Sequence, residues 1–188
     1  MTLLTIWADD DPGVELTRTS DVEEITATLG ALGVRFSRWP VVDLPPNPTS
    51  DEVIAAYQAR VDEVNDREGY TFVDAVTMTP EDSAEWRSKA ATARAKFLSE
   101  HTHDDDEDRF FARGSGIFYL HIDGKVHAVL CTEGDLLSVP AKTTHWFDMG
   151  TRPDYVSIRF FHDDDGWVAD FVENSIAHNF PTYDQITA

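Results

Sequence analysis

The sequence predicts a mainly β protein. Short antiparallel strands should form a sandwich or barrel, with several α-helices, mostly N-terminal, packed outside. Two apolar runs in GIFYLHIDGKVHAVLC are joined by Asp123-Gly124, a dipeptide suited to a two-residue hairpin turn. Two more extended runs, EGDLLSVPA and YVSIRFF, follow at short intervals with turn residues between them. The capped helical segments, in contrast, lie before about residue 97.

In chain order, Ser20 and Glu23 form an S-x-x-E capping box, which predicts a helix running to Gly30 or Gly33. PPNPTS (45–50) is a rigid break. Thr49 and Glu52 then repeat the capping pattern, Val53, Tyr57, Val61 and Val64 recur at helical spacing, and Gly69 supplies a C-cap. A third helix is expected from Thr79, with Pro80 at its first position, through an alanine-rich stretch towards Lys96. After about residue 97 the hairpin at Asp123-Gly124 and the strand closed by Pro140 take over, and YVSIRFF ends in the acidic turn HDDDG. With no internal repeat and no low-complexity linker, residues 1–188 read as a single domain. Its helical part covers about 1–96, and its barrel motifs cover about 97–170.

The chain carries 35 Asp+Glu against 15 Lys+Arg, a formal net charge of −20. Phosphate backbones and anionic membrane surfaces repel such a chain, so neither nucleic acid nor membrane is an expected partner. The single cysteine, Cys131, forms no intrachain disulfide and suits a reducing compartment. MTLLTIWADDDPG has no basic n-region and only a short apolar stretch, so a cytoplasmic protein is expected.

Chemistry concentrates in EHTHDDDEDRFFARGSGIF (100–118). His101 and His103, two apart, share one face of an extended chain and can aim at one point. Glu107 is far enough along for the chain to bend its carboxylate to that point, and His145 lies in a later extended run. Three imidazoles and a carboxylate suit a divalent transition metal. A solvated acidic loop with two incidental histidines is the competing explanation of the same stretch.

The pattern H-x-H-x3-E-x6-G, from His101 to Gly114, resembles the first motif of the cupin superfamily; Gly134, Pro140 and His145 resemble the second. Ala95 and Lys142 stand where the motifs carry glycine. The resemblance is closer to one branch, the acireductone dioxygenases of methionine salvage. It is carried by GVRFSRW (33–39), VIAAYQ (53–58), KFLSEHTHDDDEDRFFARGSGIFYLHI (96–122), DLLSVPAKTTHWFDMG (135–150) and IRFF…DGW (158–167).

The resemblance implies a cupin-type, jelly-roll-like antiparallel barrel. It also implies that His101, His103, Glu107 and His145 bind one Fe(II) or Ni(II) in an octahedral site, with water at the two remaining positions. The implied reaction is cleavage of acireductone by O2. The small-molecule substrate and O2 are the expected partners of a chain expected to be a monomer. The same ligands would serve another metal cupin enzyme or a non-catalytic metal-binding cupin.

Around the site, Arg109 and Arg159 are candidates to neutralise an enediol anion, each with an ordinary salt bridge as its alternative. Phe97, Phe147 and Trp167 are candidates for an apolar wall holding the methylthio tail. Glu100 and Asp106 flank the ligands; Asp106 is favoured as base, and Glu100 is expected behind the ligand shell. His121 and His127 read as hairpin strand residues, and His162 and His178 as surface or hydrogen-bonded histidines.

Overall fold

The computed structural model describes residues 1–162 and 168–188. Its elements are β1 (Leu3–Ala8), β2 (Asp11–Thr19), α1 (Val22–Gly30), β3 (Arg35–Arg38), α2 (Ser50–Glu68), β4 (Phe72–Met78), α3 (Ala84–Phe97), β5 (His101–Thr102), β6 (Glu107–Ile122), β7 (Lys125–Thr132), β8 (Asp135–Val139), β9 (Thr144–Asp148), β10 (Tyr155–Phe161) and β11 (Asp170–Phe171), then a 3-10 turn at Ala177–Asn179 and α4 (Tyr183–Ile186). All strand pairs are antiparallel.

The organising element is β6. Its first half pairs with β8 and β10, which continue to β3 and β4. Its second half pairs with β7 and β9 in the order β11-β5-β9-β6-β7-β1-β2. One strand therefore belongs to two facing layers. Among the described residues the strands do not close into a ring, so the cupin-type barrel is open at its edges.

The crossing shows in which side chains face inward. In the first half Glu107, Arg109 and Phe111 point into the barrel, while Asp108, Phe110 and Ala112 point out. In the second half Phe118 and Leu120 are inside, and Ile117 and Tyr119 lie outside under the C-terminal segment. Inward positions thus change from odd to even numbers, which a regular period-2 strand cannot do. The change spans Gly114 (φ +72), beside a register shift in the β10 pairing.

Outside the barrel, α2 lays Val53, Tyr57, Val61 and Val64 over Phe110, Leu136, Val156 and Ile158. Its ends are as the sequence predicts: a Thr49–Glu52 capping box and Gly69 in the left-handed conformation. The hairpin turn also follows expectation, with Asp123 and Gly124 both at positive φ between Ile122 and Lys125.

The structure corrects two helix starts. α1 is capped by Asp21, one residue beyond Ser20; its carboxylate accepts from the Glu23 and Glu24 N–H groups at 2.8 and 3.2 Å. A charged acceptor at a helix N-terminus is stronger than a hydroxyl. α3 starts at Ala84, capped by Ser83 through the Trp86 N–H at 3.0 Å, which leaves Thr79 and Pro80 in the connection. The N-terminal part also contributes β1 to β4, and the chain ends in short helical turns the sequence did not signal.

Gly114 tests the crossing. A Cβ there would lie 2.0 Å from the Asp154 carbonyl oxygen, a backbone atom that no rotamer change can move. Gly114→Ala should destabilise the protein by about 3 kcal/mol, the upper end of overpacking costs, read as a lower urea midpoint.

Candidate metal centre

His101 and His145 are direct cross-strand partners on β5 and β9, and His145 faces Leu120 of β6 on its other side. His103 follows β5 on the same face, and Glu107 opens β6. The result is a buried cluster: all four residues are at most 4% exposed. The three imidazoles present ring nitrogens within 4.8 Å of one another. Glu107 Oε2 lies 2.9 Å from His145 Nε2 and 3.4 Å from His103 Nε2. The four residues that the sequence singles out thus lie together in one cluster, and the donor set fits a divalent transition metal.

The imidazoles are aimed from behind. His101 Nδ1 faces the Ser99 carbonyl at 2.7 Å, His145 Nδ1 the Thr143 carbonyl at 2.7 Å, and His103 Nδ1 the Val168 carbonyl at 3.1 Å. A carbonyl only accepts, so each Nδ1 carries the proton and each Nε2 offers its lone pair to the centre. Burial, aided by the neighbouring imidazoles, pushes His101 down to about 4 and keeps it neutral. Burial also lowers His103, but the hydrogen bond and charge of Glu107 outweigh it, and its net shift is upward.

Glu107 is buried, which alone would raise its pKa. Arg109, foremost, then His103 and His145 hold it well below the ordinary carboxylate range. Arg109 Nη2 is 3.0 Å from Glu107 Oε1, and its guanidinium lies 4.7 Å from the Phe147 ring centroid and 5.2 Å from that of Phe118. Two rings and a carboxylate thus fix this cation beside the cluster. Phe147 fits there because position 116 is glycine: a Cβ on Gly116 would lie 2.5 Å from the ring. Phe97, the last residue of α3, packs half-buried against the same interior.

The remaining candidates are placed differently. Arg159 faces Arg109 across β6 and β10, but its guanidinium grips Asp74 of β4 through two contacts of 2.8 and 2.5 Å. Asp106 accepts the Ala141 N–H at 2.8 Å and so ties its loop to the β8–β9 turn. In that turn Lys142, where the resembled motif has glycine, adopts φ +65 and donates its N–H to the His103 carbonyl at 2.8 Å.

Glu100 requires a correction. The ligand Nδ1 atoms face backbone carbonyls, while Glu100, the strand neighbour of His101, points to the opposite face. There it meets His121 Nδ1 at 2.7 Å. His121 also contacts Asp9 at 3.1 Å, and His162 pairs with Asp105. Trp167 lies outside the described residues.

Sequence reasoning missed Phe118, whose inward parity was readable only once the strand crossing was known. It also missed the Ser99, Thr143 and Val168 carbonyls, because backbone atoms leave no mark in residue types. Phe171, 5.7 Å from His101 and 57% exposed, was missed as well.

An open antiparallel barrel of cupin type, with three inward imidazoles and a carboxylate converging at one point, defines a cupin with a candidate metal site. The chain belongs to the acireductone dioxygenase family: it matches the family described as ARD/ARD' over residues 7–169. It is 61% identical over 188 residues to an acireductone dioxygenase of Saccharopolyspora erythraea, covering 100% of this chain and 99% of the relative. To that of Frankia alni it is 50% identical over 187 residues, covering 99% and 91%. Among solved structures, an acireductone dioxygenase from Bacillus anthracis with a cadmium ion in its active centre superimposes with a TM-score of 0.77 at 28% identity, covering 91% of this chain and 98% of that one. Among the described residues no helix is long and apolar enough to cross a membrane.

The Glu107–Arg109 pair predicts how the metal-free protein responds to pH. A carboxylate with a depressed folded pKa contributes stability that is fully present above its unfolded value of about 4.3 and is lost as pH falls through the folded value. Arg109→Leu leaves that carboxylate buried without its main cation. It should cost about 3–5 kcal/mol at pH 7, and the difference from wild type should shrink as falling pH protonates Glu107, first in the variant and then in the wild type. Urea unfolding at several pH values measures both.

Proposed function

We propose that the protein is an acireductone dioxygenase with one Fe(II) or Ni(II) held by His101, His103, Glu107 and His145. It acts on 1,2-dihydroxy-3-keto-5-(methylthio)pentene and O2 in methionine salvage. The iron form yields formate and 4-methylthio-2-oxobutanoate; the nickel form yields 3-(methylthio)propanoate, formate and carbon monoxide. The observation that carries the reading is the convergence of three imidazoles, each with Nδ1 on a carbonyl, upon Glu107 in a buried site. Family membership over nearly the whole chain supports it further.

His101, His103, Glu107 and His145 would hold the ion, which when bound would supply Lewis-acid stabilisation of the enediolate charge. The chain's residues do the rest. Arg109, fixed on Glu107 and between Phe118 and Phe147, presents positive charge to the bound anion. Arg159, oriented by Asp74, adds a second cation on the same face of the β6–β10 pair. Phe147 and Phe97, with Phe118, offer an apolar wall to the methylthio tail. Asp106, partly exposed beside Glu107 and held by the Ala141 N–H, is assigned to take the enediol proton. The one-cysteine, strongly acidic chain is read as a cytoplasmic monomer without nucleic-acid or membrane partners.

Two experiments test this reading. The metal-free protein is reconstituted separately with Fe(II) and Ni(II), given acireductone in air, and assayed for O2 uptake and carbon monoxide. Uptake by both forms and carbon monoxide from the nickel form alone are expected; no uptake by either form refutes the activity. Arg109→Ala, in a folded and metal-loaded variant, should lower kcat/KM by an amount equivalent to about 2–4 kcal/mol. An unchanged value removes Arg109 from the reaction.

A further inference from the structure

We infer that Glu100 is a positioning residue of the metal centre: it anchors the segment Val168–Ile176, whose Val168 carbonyl orients His103. The inference rests on the ligand set proposed above and adds a residue that touches none of the proposed chemistry.

The three histidine supports differ in origin. The carbonyls behind His101 and His145 belong to residues 99 and 143, two positions back in the same stretch of chain. Local backbone geometry supplies them wherever the strand forms. The carbonyl behind His103 comes from residue 168, 65 positions away, and is present only if that segment docks. The orientation of one ligand therefore depends on a tertiary contact, and what holds that contact matters.

Apolar burial holds only its far end, where Ile176 packs partly buried on the outer core. Val168, Phe171 and Val172 are 71, 57 and 40% exposed. Strand pairing is minimal: β11 has two residues, matched as Asp170 with Thr102 and Phe171 with His101. A two-residue ladder is far below the length at which strands are stable by themselves.

Glu100, in contrast, meets the segment with backbone and side chain together. Its carbonyl accepts the Val172 N–H at 2.9 Å, and its N–H donates to Ser175 Oγ at 3.0 Å. Its carboxylate accepts the Ile176 N–H through Oε2 at 2.6 Å and holds His121 Nδ1 through Oε1 at 2.7 Å. Glu100 is 2% exposed, so these contacts form away from competing water. His121 in turn belongs to β6, between β7 and β9, which ties the clamp to the centre of the sheet. From Ile176 onward the chain is also fastened to the outer core through Ile176, Ala177 and Phe180. Among the described residues, the stretch from Val168 to Ser175 is thus secured chiefly at Glu100.

The test uses full-length Glu100→Ala, Glu100→Gln and Ser175→Ala. In the metal-free protein, 15N imidazole spectra report the tautomer of each histidine, and amide exchange reports the Ile176 N–H. In Glu100→Ala the Ile176 amide should lose protection and His103 should lose its fixed Nδ1–H tautomer, while His101 and His145 keep theirs. Nickel(II) affinity should fall about tenfold, the lower range for losing an outer-shell support. Glu100→Gln retains an amide oxygen for the Ile176 N–H and should recover most of that affinity. If the alanine variant does not fold, Ser175→Ala loosens the same clamp without a charge change and should reproduce the His103-selective effect more weakly. An unchanged His103 tautomer and affinity overturn the inference, as does equal disturbance of all three histidines, which marks a general structural role. Failure of the wild-type protein to bind nickel(II) would count against the ligand set itself, a separate outcome.

Discussion

The structure depends on keeping one buried anion, Glu107, ionised. A carboxylate taken out of water without partners costs several kcal/mol and would take up a proton instead. Here Arg109, two residues along the same strand, supplies the opposing charge, and His103 and His145 supply hydrogen bonds. The spacing matters because residues two apart in a strand share a face. Arg109 is fixed in turn by Phe118 and Phe147, and Phe147 by the absent side chain at Gly116. Carboxylate, guanidinium, aromatic pair and glycine therefore form one chain of dependence running into the barrel.

The long strand β6 makes that chain possible. Its first half carries Glu107 and Arg109 in one layer, and its second half carries Gly116 and Phe118 in the other. The left-handed Gly114 between them lets both sets face inward. A cupin-type barrel built this way surrounds its polar cluster with apolar walls, and the low local dielectric strengthens each charge contact inside. The imidazoles arrive on two short elements, His101 and His103 with β5 and His145 with β9, and their aim is set by the carbonyls behind them. Two of those carbonyls are local and one is brought by the C-terminal segment.

Much of this was legible in the sequence. Capping residues and helical spacing gave α2 with both ends, Asp123-Gly124 gave the hairpin, and histidine spacing with Glu107 gave the cluster. What escaped has physical reasons. The N-terminal strand β2 is largely exposed on both faces and shows no clean alternation, so its pattern is weak. Asp21 outcompetes Ser20 as a cap because charge strengthens the bond, which residue spacing does not report. Arg109 and Arg159 were both read as substrate candidates; only the β4 register, which sets Asp74 opposite Arg159, shows which carboxylate orients the second. Glu100 was expected behind a ligand imidazole, but strand alternation turns it to the other face, where its partners are distant in sequence.

The central claim is that three imidazoles and the Glu107 carboxylate hold one ion together. X-ray absorption at the nickel edge of the Ni(II)-loaded protein tests it most directly, with Glu107→Gln and His145→Ala measured alongside. The account predicts one ion per chain with three imidazole scatterers and oxygen completing the shell, falling to two imidazoles in His145→Ala. A wild-type spectrum with fewer than three imidazoles, or with sulfur from Cys131 in the shell, would contradict it.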